Sequence, residues 1–340
     1  MNLFDSRFSY KIVKSYLAFK LRKPLPTYVD FLCTPRCNLK CSFCHRWQIK
    51  DKEDDTAKSL AVIDKIAEAG VASIFFSGGE PLLRKDLEIL AEHARQKGLV
   101  LTLTTNGTLL NEERAKKLSE YFESITISLD GFEETHDQIR GVKGTYKKAM
   151  KAIYLLKENS TKAKIGINFT LCKTNSAEMI PLFTELRGII DFASFAPVNP
   201  YPPSNDSIIP FHDIDDMITS LLVLKKEKPS NVILPYQYIR TLRQYYALEL
   251  EKKCDTCVLY CCVDWNGNLW LCSVYEHPIG SLHEAPLEQI IRRKKSEITE
   301  LVNKCPGCMT TCTMLPSLLY EKSFLSGIAL GTAMSWLKIR

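Results

Sequence analysis

The chain has 340 residues, 45% of them hydrophobic, with 13 cysteines and a formal net charge of +6. That length can bury one large core with a small appended module, and it lies far beyond the short scaffolds that disulfides hold together. Lys and Arg are interleaved with Asp and Glu over most of the length, so no nucleic-acid partner is expected.

The charge is uneven at the start. Residues 1–27 carry Arg7, Lys11, Lys14, Lys20, Arg22 and Lys23 against Asp5, set between apolar Phe8, Ile12, Val13, Tyr16, Leu17 and Phe19. This is the pattern of a basic amphipathic helix, which either docks on the main domain or lies on an anionic membrane surface. At the other end "SFLSGIALGTAMSWL" (Ser323 to Leu337) is nearly free of charge. It is shorter than the roughly 20 residues a spanning helix needs, so an apolar helix over 316–340 is expected to be buried or interfacial.

Between these ends, short β-branched runs alternate with helical stretches. "PTYVDFLC", "VASIFFS", "LVLTLTT", "SITISLD", "KIGINFTL" and "DFASFA" read as six strands. Helices are expected near 56–70, 84–98, 111–121, 145–158 and 176–188, and Gly70, Gly98 and Gly188 stand where C-terminal caps belong. This is the rhythm of βα units and a parallel sheet covered on both faces, either an open barrel or a doubly wound sheet. The rhythm stops in the Pro- and Ser-rich "APVNPYPPSNDSIIP", which closes a core of residues 28–210. Residues 211–253 read as a linker with a helix near 212–228. Residues 254–315 form a cysteine-rich module with a hairpin about Asn266-Gly267.

All cysteines but Cys33 and Cys172 fall in two groups, and those two lie within strands as small buried hydrophobes. Clustered thiols with no apolar leader at the start suggest a reducing cytoplasm, with contact at the inner face of the membrane as a second expectation. The first group, Cys37, Cys41 and Cys44 in "CNLKCSFC", follows the first strand. It therefore lies at the carboxyl edge of the sheet, where parallel α/β folds bind ligands. Three thiolates can hold three irons of a 4Fe-4S cubane and leave the fourth open. Zinc would need a fourth ligand, and His45, adjacent to Cys44, is poorly placed to close a tetrahedron.

Here the sequence resembles the radical S-adenosylmethionine (SAM) enzymes, whose motif is Cys-x3-Cys-x2-Cys after the first strand with an aromatic residue before the third cysteine, the place of Phe43. The resemblance covers roughly residues 28–200. Gly78, Gly79 and Glu80 stand where the family's second strand ends in the motif that meets the methionine amino group. Asn106, within Thr105-Asn106-Gly107, matches the end of the third strand. Ser128, Asp130 and Gly131 match the fourth, followed by Arg140 in reach of the SAM carboxylate. Singly, each of these motifs reads as a turn or a surface charge. Together at successive strand ends they imply a partial (βα)6 barrel, a SAM-binding 4Fe-4S cluster fed by a flavodoxin or ferredoxin, and reductive cleavage of SAM to a 5′-deoxyadenosyl radical that abstracts a substrate hydrogen.

The second group holds Cys254, Cys257, Cys261, Cys262, Cys272, Cys305, Cys308 and Cys312. Cys257, Gly267, Cys272 and the pair Cys305 and Cys308 are similar to the SPASM and twitch extensions of these enzymes, which implies at least one auxiliary 4Fe-4S cluster. Cys257, Cys272, Cys305 and Cys308 are the implied ligands, with Cys254, Cys261, Cys262 and Cys312 in reserve. Cys254-x2-Cys257 and Cys305-x2-Cys308 would equally suit a zinc ribbon. A non-catalytic electron carrier or a zinc scaffold is the alternative function, but neither needs groups for an amino acid such as Gly78, Gly79, Glu80 and Arg140 supply. The substrate stays open between a peptide or protein and a lipid or other hydrophobic small molecule. No residue is singled out as an acid or base, and Tyr201, Tyr236 and His212 are expected near the barrel mouth in packing roles.

Overall fold

Six parallel strands, β1 (Tyr28–Thr34), β2 (Ser73–Gly78), β3 (Val100–Thr105), β4 (Ser124–Ser128), β5 (Lys164–Leu171) and β6 (Phe192–Pro197), lie side by side in chain order. The computed structural model describes residues 6–21, 25–160, 162–199, 207–227, 231–250 and 254–322. Helices α2 (Thr56–Glu68), α3 (Leu87–Gln96), α4 (Glu112–Tyr121), α6 (Thr145–Asn159) and α7 (Met179–Leu186) return the chain between strands. This is the expected partial (βα)6 barrel. Gly70 and Gly98 adopt the left-handed φ of +81° and +73° that ends a helix, whereas exposed Gly188 does not.

Alternation along each strand divides the sheet into two faces. Val29 and Phe31, Ile74 and Phe76, and Ile125 and Ile127 join Ile63, Leu90 and Leu118 of the helices in one core. Phe76 meets Phe31 and Phe122 edge-on, with centroids 5.6 and 5.5 Å apart. Each such side chain contributes about 1.5–3 kcal/mol by burial. The intervening residues Asp30, Ser77, Thr104, Ser128, Asn168 and Ser194 face the opposite, concave side. The lumen of this half-barrel is therefore polar.

The cysteine-rich module continues the same sheet. Strand β7 (Tyr260–Val263) pairs in parallel with the free edge of β1, from Tyr28↔Tyr260 to Phe31↔Val263. Strands β8 (Asn268–Trp270) and β9 (Pro278–Ser281) then follow antiparallel, giving nine strands in the order β6-β5-β4-β3-β2-β1-β7-β8-β9. The hairpin about Asn266-Gly267 is present, with Gly267 at φ +70°. Within 211–253 the chain forms α8 (Ile214–Glu227) and a second helix, α9 (Tyr236–Tyr246). Helices α10 (Leu287–Arg293), α11 (Lys295–Lys304) and α12 (Thr311–Lys322) complete the described chain, α12 beginning earlier than the expected terminal helix.

The amphipathic start forms α1 (Ser6–Lys20) and is docked. Tyr16 and Phe19 pack with Tyr28, Leu259 and Tyr260. Lys11 Nζ donates to the Val71 carbonyl at 3.1 Å, and the Ser15 hydroxyl donates to the Leu25 carbonyl. Tyr16 and Phe19 are thus spent on the protein, while Leu17 stays exposed. No helix among the described residues is long and apolar enough to cross a membrane. The apolar tail from Ser323 and Tyr201 lie outside the described residues, and Tyr236 and His212 are exposed.

Candidate active site

The loop after β1 is held from two sides. Helix α5 (Glu133–Arg140) offers its last carbonyls: the Lys40 amide donates to Arg140 at 3.0 Å and the Ser42 amide to Ile139 at 2.9 Å. These carbonyls lack partners within their own helix, so the loop completes the helix end. From the other side, the Gly79 amide donates to the Thr34 carbonyl at 2.8 Å and the Glu80 amide to Arg36 at 2.7 Å. A Cβ on Gly78 would stand 2.5 Å from the Thr34 oxygen, and one on Gly79 only 2.1 Å from the Arg36 oxygen. These glycines admit the cysteine loop itself to the end of β2, a closer approach than the ligand contact that sequence suggested.

Cys37, Cys41 and Cys44 share this pinned loop, Cys41 buried and the other two half-buried. The Cys44 amide donates to the Cys41 carbonyl at 3.2 Å. Burial pushes the Cys37 thiol up to about 12 and raises Cys44 as well. A thiol so placed gives up its proton only to a metal's positive charge. Arg140 Nη1 stands 3.7 Å from Cys41 Sγ, with its guanidinium carbon 5.5 Å from the Phe43 ring centroid. Three thiols beside a fixed cation fit an anionic cluster with one iron left open.

The other motif residues surround this loop. Glu80 is buried, and its carboxylate accepts from the Thr105 hydroxyl at 2.5 Å, the Asn106 amide at 2.7 Å and the Leu82 amide at 2.9 Å. Burial raises its pKa despite these bonds. This carboxylate staples the ends of β2 and β3, and its Oε2, with a single bond made, can still accept from an ammonium. Asn106 Nδ2 donates to Asn38 Oδ1 at 2.9 Å, linking the end of β3 to the cysteine loop. Asp130, fully buried, pairs with Arg140 Nε at 2.6 Å and accepts from the Thr170 amide at 2.8 Å. Burial works against the Arg140 charge, but Asp130 and Cys41 more than offset it. Ser128 sits beside them, nearly buried at the end of β4. His136 was not foreseen: its Nδ1 accepts from the Asp130 amide at 3.1 Å, and burial lowers its pKa to about 4.

Among the C-terminal cysteines, Cys254, Cys272, Cys305 and Cys308 line one pocket together with Tyr260 and Tyr275. Hydrogen-bond donors already face the sulfurs: the Tyr275 amide stands 3.1 Å from Cys272, and the Tyr260 hydroxyl 2.5 Å from Cys254. Burial pushes Cys254 up to about 12 and Cys272 well above its usual value, and Cys308 raises both further. Four thiols lining one pocket fit a cluster. Cys257, at a φ of +60°, packs in the main core with Cys261, apart from that pocket's lining. Cys262 packs with Leu32, Trp265 and Trp270, and Cys312 lies at the pocket's neighbour with Asp30 and Cys272. Among the described residues no three His, Cys, Asp or Glu side chains gather as they would around a single metal ion.

A half-barrel whose first loop presents three cysteines beside a buried Arg-Asp pair, with a second four-cysteine site on an added sheet edge, defines an iron–sulfur enzyme of radical chemistry. The chain belongs to the radical SAM superfamily: the family model described as Radical SAM superfamily matches residues 31–183. Fe-coproporphyrin III synthase of Methanosarcina barkeri strain Fusaro is 30% identical over 344 residues, covering 89% of this chain and 85% of its own. AdoMet-dependent heme synthase of the same organism is 27% identical over 312 residues, covering 83% and 88%. The structure of native anSMEcpe with bound AdoMet superposes with a TM-score of 0.65 at 20% identity, covering 91% of this chain and 95% of that one. The protein is thus an enzyme that uses SAM and a 4Fe-4S cluster.

Proposed function

We propose that this radical SAM enzyme acts on a tetrapyrrole. One observation carries the reading: two relatives that match more than four-fifths of the chain are named for Fe-coproporphyrin III and heme synthesis. When loaded, the cluster and SAM supply a one-electron cleavage of the sulfonium bond, giving methionine and a 5′-deoxyadenosyl radical that takes a substrate hydrogen. The chain's own part is to hold and orient. Cys37, Cys41 and Cys44 would hold the SAM cluster, and Cys254, Cys272, Cys305 and Cys308 the auxiliary one. Gly78, Gly79, Asn106, Ser128 and the Asp130-Arg140 pair form the wall on which SAM would lie, with Phe43 stacked on Arg140. The polar concave face offers hydroxyl and amide groups to a substrate, and a flavodoxin or ferredoxin is the class of donor suited to deliver the electron.

The test is 5′-deoxyadenosine release by the anaerobically reconstituted, reduced protein, challenged in parallel with tetrapyrrole carboxylates, peptides and lipid dispersions. Stimulation of at least tenfold by a tetrapyrrole, lost when Cys37, Cys41 and Cys44 are changed to Ala, is the expected result. Stimulation by a peptide or a lipid alone would overturn the substrate assignment and leave the radical chemistry standing.

A further inference from the structure

Arg46 follows the third cysteine of the loop by two residues, yet its side chain is buried in the C-terminal module. Its Nη2 donates to the Ser273 carbonyl at 3.0 Å and pairs with Glu276 Oε1 at 2.9 Å. The guanidinium carbon stands 5.9 Å from the Trp265 ring centroid and 5.4 Å from that of Trp270, and the two rings meet edge-to-face 5.4 Å apart. Its neighbour His45 reaches the same Glu276 oxygen at 3.0 Å. Ser273 adjoins Cys272, so the residues just after Cys44 grip the residues just after a cysteine of the auxiliary pocket. Arg46 Nη1 is buried with no hydrogen-bond partner of its own, a costly arrangement for a cation unless an anion lies nearby. Asp30, hydrogen-bonded to the Ser77 hydroxyl, is the buried carboxylate that feels this charge from β1.

We propose that Arg46 is a positioning residue that locks the three-cysteine loop to the segment following Cys272 and holds a positive charge beside the auxiliary site, raising the reduction potential of the cluster there. The proposal rests on the auxiliary-cluster reading above. A cation in a medium of low polarity stabilises the more negative, reduced form of a nearby cluster. The planar fork set beside both indole rings also holds the guanidinium in one orientation, which a lysine would not reproduce.

The experiment uses the reconstituted holoenzyme and three variants, Arg46→Met, Arg46→Lys and Glu276→Gln. Iron and sulfide content, the midpoint potential of each cluster, and the mutual relaxation enhancement of the two reduced clusters by electron paramagnetic resonance are read. Arg46→Met is expected to lower the auxiliary potential by at least a tenfold change in the one-electron equilibrium, which is about 59 mV. Glu276→Gln, which removes a negative charge and leaves Arg46 in place, is expected to raise it. Arg46→Lys keeps the charge and is expected to alter the relaxation enhancement more than the potential. A role in packing alone would shift neither potential, and full iron content with wild-type potentials in Arg46→Met overturns the proposal. If Arg46→Met fails to hold iron, the upward shift in Glu276→Gln decides, and its absence overturns the proposal equally. A wild-type protein that binds iron for a single cluster defeats the auxiliary reading instead, and the two failures are thereby distinct.

Discussion

Gly79→Ala separates the two tasks that the Gly78-Gly79-Glu80 turn can serve. The Gly79 backbone does not take a positive φ, so alanine is conformationally allowed there, and the obstacle is steric alone. The added methyl would stand 2.1 Å from the Arg36 oxygen, 2.5 Å from its carbonyl carbon and 2.7 Å from the Pro35 oxygen, all rigid backbone of the cysteine loop. Carbon–oxygen contacts settle at about 3.3 Å or more. The loop must therefore retreat by about 1.2 Å, which breaks the bonds from the Glu80 amide to Arg36 and from the Gly79 amide to Thr34. Two backbone hydrogen bonds at about 1 kcal/mol each and an overpacking strain of about 1–3 kcal/mol give a loss of about 3–5 kcal/mol. Urea unfolding of the apoprotein measures it, with Gly188→Ala as the control, since nothing lies within 4 Å of a Cβ there. Iron content after reconstitution should fall with Gly79→Ala, because the loop that carries all three cysteines has moved. Wild-type stability and iron loading, with only SAM binding weakened, would show that the glycine serves the ligand and refute the reasoning.

Glu80→Ala leaves the Asn106 and Leu82 amides and the Thr105 hydroxyl without their acceptor. It should destabilise the apoprotein by about 2–4 kcal/mol, measured by the same unfolding; an unchanged midpoint would mean that the carboxylate is not a staple. His136 has a folded pKa of about 4 against 6.5 unfolded, so the unfolded chain takes up a proton first as pH falls. Stability should therefore decline between pH 6.5 and 4, by about 2 kcal/mol at pH 5, and His136→Gln should flatten that part of the curve. Cys308→Ala should abolish the auxiliary cluster while leaving the SAM cluster, because Cys308 lines the four-thiol pocket. Cys257→Ala should retain both clusters and lose only the stability expected of a small cavity, and loss of iron there would restore Cys257 to the ligand set.

The six parallel strands were legible because each is buried on the helix side and bounded by turn residues, so composition and length agree. The motif residues at their ends were legible because four of them fall at successive strand ends. Helix α5 was not: "EETHDQIR" is short and nearly without an apolar stripe, and what it contributes is a pair of terminal carbonyls for the cysteine loop. Nor was the staple that Glu80 makes, since two of its three donors come from the end of β3, 25 and 26 residues on. The core placement of Cys257 was not legible either, because residue spacing counts positions along the chain, while a single left-handed residue decides which way a side chain points. His136 gave no sequence signal, and its environment exists only once Asp130 turns its amide toward the ring.

The pairing of β7 with β1 bears on how a substrate can enter. A module joined to the barrel by a flexible tether could swing aside, whereas this one shares four paired positions with β1 and a core with Cys261 and Val263. Swinging it away would break that ladder, expose those side chains and pull Arg46 from beside its two tryptophans. Each lost hydrogen bond costs about 0.5–1.5 kcal/mol, and each large apolar side chain returned to water about 1.5–3 kcal/mol. Motion of the module is therefore a costly route for a substrate. Among the described residues the sheet ends at β6 and β9. Helix α12 packs on β6, and its Cys312 and Thr313 line a recess with Asp30 and Cys272, so α12 covers part of the face between those two edges.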